Sequence, residues 1–199
     1  MKIAAVLTAA VAALSPSAWA AAVPGQSAPD FRALDTSGKA VSLADFRGRT
    51  VVLEWSNPNC PFVQKHYVSG NMQALQHGTT GSGVVWLAIN STNDTHSDYM
   101  SPAKLGAWFA GQKAAPTAVL MDTKGEIGRA YGAKVTPHMY VIDPQGIVIY
   151  AGAIDDKRSA NPADVKTATN YVAAALADTR AGKHVATAAS NPYGCTIKY

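Results

Sequence analysis

Residues 50–63 read Thr50-Val51-Val52-Leu53-Glu54-Trp55-Ser56-Asn57-Pro58-Asn59-Cys60-Pro61-Phe62-Val63, and this stretch decides the fold. Thr50 to Trp55 is β-branched and apolar, the composition of a central strand. Ser56 to Asn59 is a polar loop. Pro61 opens a helix, because the N–H that proline lacks is unpaired in a first turn anyway. Cys60 therefore stands at the carboxyl end of a central strand and at the mouth of a helix, where doubly wound sheets build their sites. A thiol there meets the positive end of the helix dipole and free backbone N–H groups, both of which favour thiolate over thiol. The alternative is an inert cysteine that packs as a small hydrophobe. Val63 stands where a Cys-x-x-Cys pair would place its second thiol. A sulfenic acid or a mixed disulfide is then the first product at Cys60, and a more distant group must resolve it.

Working outward, Phe31-Arg32-Ala33-Leu34 and Ala40-Val41-Ser42-Leu43 flank Asp35 to Lys39 as a hairpin. Val84 to Ile89 is a second buried strand. Ser101-Pro102 caps and opens a helix with Leu105, Trp108 and Phe109 on its inner face. Thr117 to Met121 is a strand and Glu126 to Tyr131 a short helix. Met139–Ile142 and Ile147–Ala151 form a hairpin about Asp143-Pro144-Gln145-Gly146. Pro162 to Ala177 reads as one final helix. Strands alternating with helices predict an α/β fold, a central mixed sheet flanked by helices with an N-terminal hairpin extension.

The chain has 199 residues, 48% hydrophobic and 15% charged, which describes one ordinary globular domain. Its net charge is +4 with no Lys/Arg run, so nucleic-acid binding is not expected. Lys2, the apolar stretch Ile3 to Leu14 and Ala18-Trp19-Ala20 read as a signal peptide over residues 1–20, cut after Ala20. That apolar stretch is too short to span a bilayer, and no later one is long enough. The expected plan is a signal peptide at 1–20, a domain at 21–181 and a tail at 182–199. The expected compartment is exported, the periplasm.

Only two cysteines exist, Cys60 and Cys195, too few for a disulfide framework. Cys195 lies in the tail, and chain ends are commonly mobile. Three readings stay open for it: a resolving or redox-coupled thiol, a structural disulfide to Cys60, or an unpaired or intermolecular thiol. Thr136-Pro137-His138 precedes a strand, where a proline with no N–H to donate belongs. Trp55, Asn57 and Asn59 are placed along the approach to Cys60 as substrate contacts, with turn formation the other reading of the asparagines. His66 and His138 are candidates to approach the thiol, or to join it on a soft metal; each also reads as a satisfied or surface histidine. Trp86, Trp108 and Phe109 are core.

These residues resemble the peroxiredoxin-like redoxins of the thioredoxin superfamily, near the alkyl hydroperoxide reductase and thiol-specific antioxidant group. The likeness runs from Pro24-Gly25-Gln26-Ser27-Ala28-Pro29-Asp30-Phe31 through Trp55 to Tyr67, Ala130-Tyr131-Gly132-Ala133, Thr136-Pro137 and Ile154-Asp155-Asp156-Lys157 to Tyr193-Gly194-Cys195-Thr196-Ile197-Lys198-Tyr199. It implies a thioredoxin-like fold with Cys60 as nucleophile and Pro137 as a cis proline that presents the Thr136 backbone to an incoming sulfur or peptide. The chain departs from true peroxiredoxins at two positions, with Leu53 in place of their proline and Asn57 in place of their Thr or Ser. No Arg is assigned to peroxide activation.

The expected function is a thiol-dependent oxidoreductase using Cys60 on a peroxide or a disulfide, protein or small-molecule. An external thiol serves as reductant, and neither metal nor organic cofactor is needed. A different class is a binding module without turnover, holding a partner or a soft metal through Cys60 with His66 or His138. A third is a docking domain with Cys60 and Cys195 permanently bonded.

Overall fold

The computed structural model describes residues 21–199, so the signal-peptide reading of residues 1–20 lies outside the described residues. In chain order the strands are β1 (Arg32–Asp35), β2 (Ala40–Ser42), β3 (Val51–Trp55), β4 (Val85–Asn90), β5 (Ala118–Met121), β6 (Val135–Thr136), β7 (His138–Ile142), β8 (Val148–Gly152) and β9 (Cys195–Thr196). The α-helices are α1 (Pro61–Val68), α2 (Asn71–Thr80), α3 (Pro102–Gly111), α4 (Glu126–Tyr131) and α5 (Tyr171–Arg180).

Seven strands form one sheet in the order β2-β1-β5-β4-β3-β7-β8, and β6 and β9 pair apart from it. β4 is parallel to β3 and β5, and the other neighbours in the sheet are antiparallel. This is the expected mixed α/β sheet. The N-terminal hairpin extends it beyond β5, through Leu34 opposite Met121.

Side chains on a strand alternate between faces. In β3, Val51, Leu53 and Trp55 enter one core with Leu87, Ile89, Leu120, Tyr131 and Tyr140. Val52 enters the other, with Trp86, Val63, Tyr67, Met72, Leu105, Phe109 and Leu176. Cys60 belongs to this second core, on the helix-covered side opposite Trp55.

Three local expectations need correction. The expected helix over 162–177 is a 3₁₀ turn at Pro162–Thr167 followed by α5 from Tyr171. Two asparagine caps enforce the break. Asn161 accepts from the Ala163 N–H and Asn170 from the Ala173 N–H, while the Asp156 carboxylate takes the Thr169 N–H at 2.9 Å. The stretch after α1 also holds a helix not read from the sequence, α2, set off by Gly70 at φ 75°.

The third correction is the tail, which is sewn onto the domain. The Ser190 N–H donates to the Ala151 carbonyl at 3.1 Å, and Ser190 Oγ accepts from the Ala153 N–H at 2.9 Å. Thr136 stands opposite Cys195 in the antiparallel β6–β9 pair. The Ile197 N–H reaches the Lys134 carbonyl at 3.1 Å. Tyr199 Oη donates to the Ala133 carbonyl at 2.7 Å, with the Arg129 guanidinium 4.7 Å from its ring centre. Gly128 makes room for that ring, since a Cβ there would lie 2.3 Å from Tyr199 Oη. Among the described residues no helix is long and apolar enough to cross a membrane.

Candidate active site

β3 ends at Trp55, and the loop then turns back under α1. Asn57 makes that turn: its Oδ1 accepts from the Asn59 N–H at 2.8 Å and its backbone carbonyl from the Cys60 N–H at 3.0 Å. Its Nδ2 is turned to Thr92 Oγ1 at 3.4 Å, so its bonds organise the loop. Cys60 is the N-cap residue of α1, is 2% exposed, and directs its thiol to the Thr136 carbonyl at 3.1 Å. The Thr136-Pro137 bond is cis, as the resemblance implies. Thr136 Oγ1 is buried with no hydrogen-bond partner, so it is the Thr136 backbone that meets the sulfur.

Cys195 completes the pair. The β6–β9 register sets it opposite Thr136, the residue whose carbonyl receives the Cys60 thiol. The two cysteines are free thiols, and Cys195 packs against the core cluster that holds Cys60. Burial pushes the Cys195 thiol up, the adjacent Cys60 sulfur adds to this, and together they hold it at about 12. The helix N–H groups expected to serve Cys60 do not: Cys60 makes no side-chain capping bond. The close approach needs Gly194, at φ 143°, where a Cβ would meet the Thr136 carbonyl oxygen at 1.9 Å.

The other expected contacts lie elsewhere. Trp55 is fully buried in the opposite core, 5.4 Å from the Tyr131 ring and 5.3 Å from Tyr140, and its indole N–H donates to Ser91 Oγ at 3.0 Å. A direct substrate contact through Trp55 is not part of this geometry. His66 bonds Asn71 through Nδ1 at 2.9 Å. His138 stacks 4.7 Å from Tyr140 and accepts the Lys134 N–H at 3.4 Å. The hydrogen bonds of both rings thus leave Cys60 aside. Among the described residues no group of three or more His, Cys, Asp and Glu is placed to hold a metal ion.

Sequence reading missed two buried polar centres. Glu54, alone among apolar neighbours in β3, accepts from Tyr67 Oη at 2.8 Å, Trp86 Nε1 at 2.8 Å and Gln76 Nε2 at 3.1 Å. Burial raises its carboxyl despite these donors. An acid inside so apolar a strand was the available signal. The second centre joins Lys65, Asp155 and Tyr193 beneath the Cys195 strand. No sequence spacing links those three.

The histidines give the fold a pH signature. Burial pushes both His66 and His138 from 6.5 down to about 4; for His66 Asp155 opposes the shift and Lys65 adds to it, while for His138 Lys134 adds to it. The unfolded chain therefore takes up protons first as pH falls. Stability from these groups is complete above 6.5 and is lost between 6.5 and about 4. Glu54 and Asp122, both raised by burial, act in the opposite sense. A difference measurement isolates one group. The stability deficit of His138→Gln against wild type, read from urea midpoints, is expected to shrink as pH falls from 7 to 4. A constant deficit would contradict a buried neutral imidazole.

The sequence profile of the AhpC/TSA family matches residues 24–151. The thiol-disulfide oxidoreductase ResA of Bacillus thuringiensis subsp. konkukian is 27% identical over 125 residues, which cover 63% of this chain and 66% of ResA. The match thus spans just under two thirds of that relative. A crystal structure of an uncharacterized conserved protein from Geobacillus kaustophilus superposes with a TM-score of 0.75 at 27% identity, covering 88% of this chain and 92% of that one. A hypothetical protein from Sinorhizobium meliloti 1021 gives a TM-score of 0.75 at 25% identity, over 90% and 96% of the two chains. With 24–151 matched by the profile and the fold shared over most of its length, this chain belongs to the AhpC/TSA family.

Proposed function

We propose that the chain is a thiol–disulfide oxidoreductase whose second thiol is delivered by its carboxyl-terminal strand. The observation that carries this is Cys195 set beside Cys60 by the β6–β9 pair, opposite the residue whose carbonyl receives the Cys60 thiol. Geometrically it replaces the local partner that Val63 cannot supply. The Cys60 thiolate attacks one sulfur of a disulfide RSSR, forming Cys60–S–SR and releasing RS⁻. The Cys195 thiol then loses its proton and attacks Cys60 Sγ. This forms the Cys60–Cys195 disulfide and releases a second RS⁻. Two electrons have left the protein, and two equivalents of an external thiol, or one dithiol, restore it.

The environment of Cys195 suits this order. In the reduced protein, burial and the Cys60 sulfur both keep its proton on. Once Cys60 is capped by the substrate, its upward contribution is gone while burial still raises and Lys198 still lowers the Cys195 thiol, so Cys195 ionises more readily at the step that needs it.

Peroxide is the second reading, favoured by the family itself. The Cys60 thiolate would then take one peroxide oxygen, releasing water or an alcohol, and the sulfenic acid formed would condense with the Cys195 thiol to the Cys60–Cys195 disulfide, releasing water. Against it, Leu53 is core and Asn57 bonds the loop and Thr92. Export to the periplasm belongs to this proposal and rests on the pattern of Lys2, Ile3–Leu14 and Ala18-Trp19-Ala20. The deciding comparison is the rate of reduced protein with hydroxyethyl disulfide and with hydrogen peroxide. Exchange faster than a free thiol, with peroxide at the free-thiol level, is expected. Fast peroxide reaction and slow exchange would reverse the assignment.

A further inference from the structure

Beneath the Cys195 strand lie two charges that the chemistry above does not use. The Lys65 and Asp155 side chains are 0% and 1% exposed and pair at 3.2 Å. Lys65 Nζ also donates to the Lys157 carbonyl at 2.7 Å and to Tyr193 Oη at 3.2 Å, and Tyr193 Oη donates to Asp155 Oδ1. The Tyr193 ring packs edge-on against Phe62 at 5.9 Å. His66 Nε2, with no hydrogen-bond partner, lies 3.9 Å from Asp155 Oδ2. A buried ion pair is a weak source of stability, because desolvation offsets most of the attraction. What this pair grips is more telling: a tyrosine two residues before Cys195, in the tail.

The same tail closes an edge. β6 has β9 as its strand partner, with Thr136 opposite Cys195. An extended peptide seeking main-chain bonds at Thr136 would have to displace β9.

We propose that Lys65, Asp155 and Tyr193 form a latch that holds Cys195 on Cys60 and keeps the β6 edge closed to extended peptides. It rests on the reading of Cys60 as nucleophile and Cys195 as its partner. The latched protein then takes compact disulfides, and peptide disulfides react only from the unlatched form. The three residues act by positioning and touch no reacting atom.

Tyr193→Phe tests this by removing one hydroxyl while keeping the ring on Phe62. Alkylation of reduced Cys60 by an extended peptide carrying an iodoacetyl group, mapped by peptide mass, requires the tail to lift. It is expected to rise roughly tenfold or more, the scale for losing a hydrogen bond to a charged group. Closure of the Cys60–Cys195 disulfide after hydroxyethyl disulfide is expected to slow by a similar factor. The first attack by Cys60 should not slow, which separates lost positioning from general damage. Gly194→Ala, which drives a methyl at the Thr136 carbonyl and leaves the latch intact, serves as the opened reference. Alkylation or closure unchanged in Tyr193→Phe overturns the latch, as does a slowed first attack. A wild-type protein that reacts at Cys60 and never closes the disulfide overturns the functional reading instead.

Discussion

Cys60→Ser protein is expected to lose thiol transfer entirely: no adduct at residue 60, no internal disulfide, and disulfide turnover at the buffer rate. A serine hydroxyl is not ionised at neutral pH and forms no bond that a thiol can exchange. Cys195 does not substitute for it, because burial, the largest influence on that thiol, pushes it up. Stability should change little, since a hydroxyl in this place can still donate to the Thr136 carbonyl, the partner of the native thiol. Intact-mass analysis after incubation with hydroxyethyl disulfide reads the result. Undiminished turnover in this variant would remove Cys60 from the chemistry.

Cys195→Ser is expected to stop the reaction halfway. Cys60 still attacks, one equivalent of thiol leaves, and the mixed disulfide persists. In the wild type the second thiol is fixed beside the first, and a thiol held in that way reaches effective concentrations far above those of a free reductant. Against an external thiol at about 1 mM, resolution should slow by roughly a thousandfold or more. Time-resolved mass spectrometry of the Cys60 peptide checks this. Prompt loss of the adduct in Cys195→Ser would mean that Cys195 is not the resolving group.

The neighbourhood of Cys60 was legible because its signals are local. A β-branched run ends in a polar loop, and Pro61 starts a helix immediately after the cysteine, so chain order alone puts the thiol at the sheet's carboxyl edge. The role of Trp55 was not legible. Every residue of β3 is buried, so no polar alternation marks which face a side chain takes. The parity of the strand sends Val51, Leu53 and Trp55 together, away from Cys60.

The tail was misread for a different reason. A terminal segment looks mobile when its partners are unknown. Its order comes from groups distant in sequence: Ala151 and Ala153 for Ser190, Asp155 and Lys65 for Tyr193, Thr136 for Cys195, Ala133 for Tyr199. Gly152, Gly194 and Gly128 each stand where a Cβ would strike the docked tail or the strand it docks on. Those absences of side chains carry the docking information, and they are readable only once the two surfaces are together. The break between Pro162–Thr167 and α5 was closer to legible, since Asn161 and Asn170 are both helix-capping residues.

The central claim is that Cys60 and Cys195 act as one redox pair within a single chain. The most direct measurement is to treat dilute reduced protein with one equivalent of hydroxyethyl disulfide, count the thiol released, and map the cross-link by peptide mass. Two equivalents of mercaptoethanol and a Cys60–Cys195 peptide within one monomer are the predicted result. One equivalent, with mercaptoethanol left on Cys60 and Cys195 still free, would contradict it.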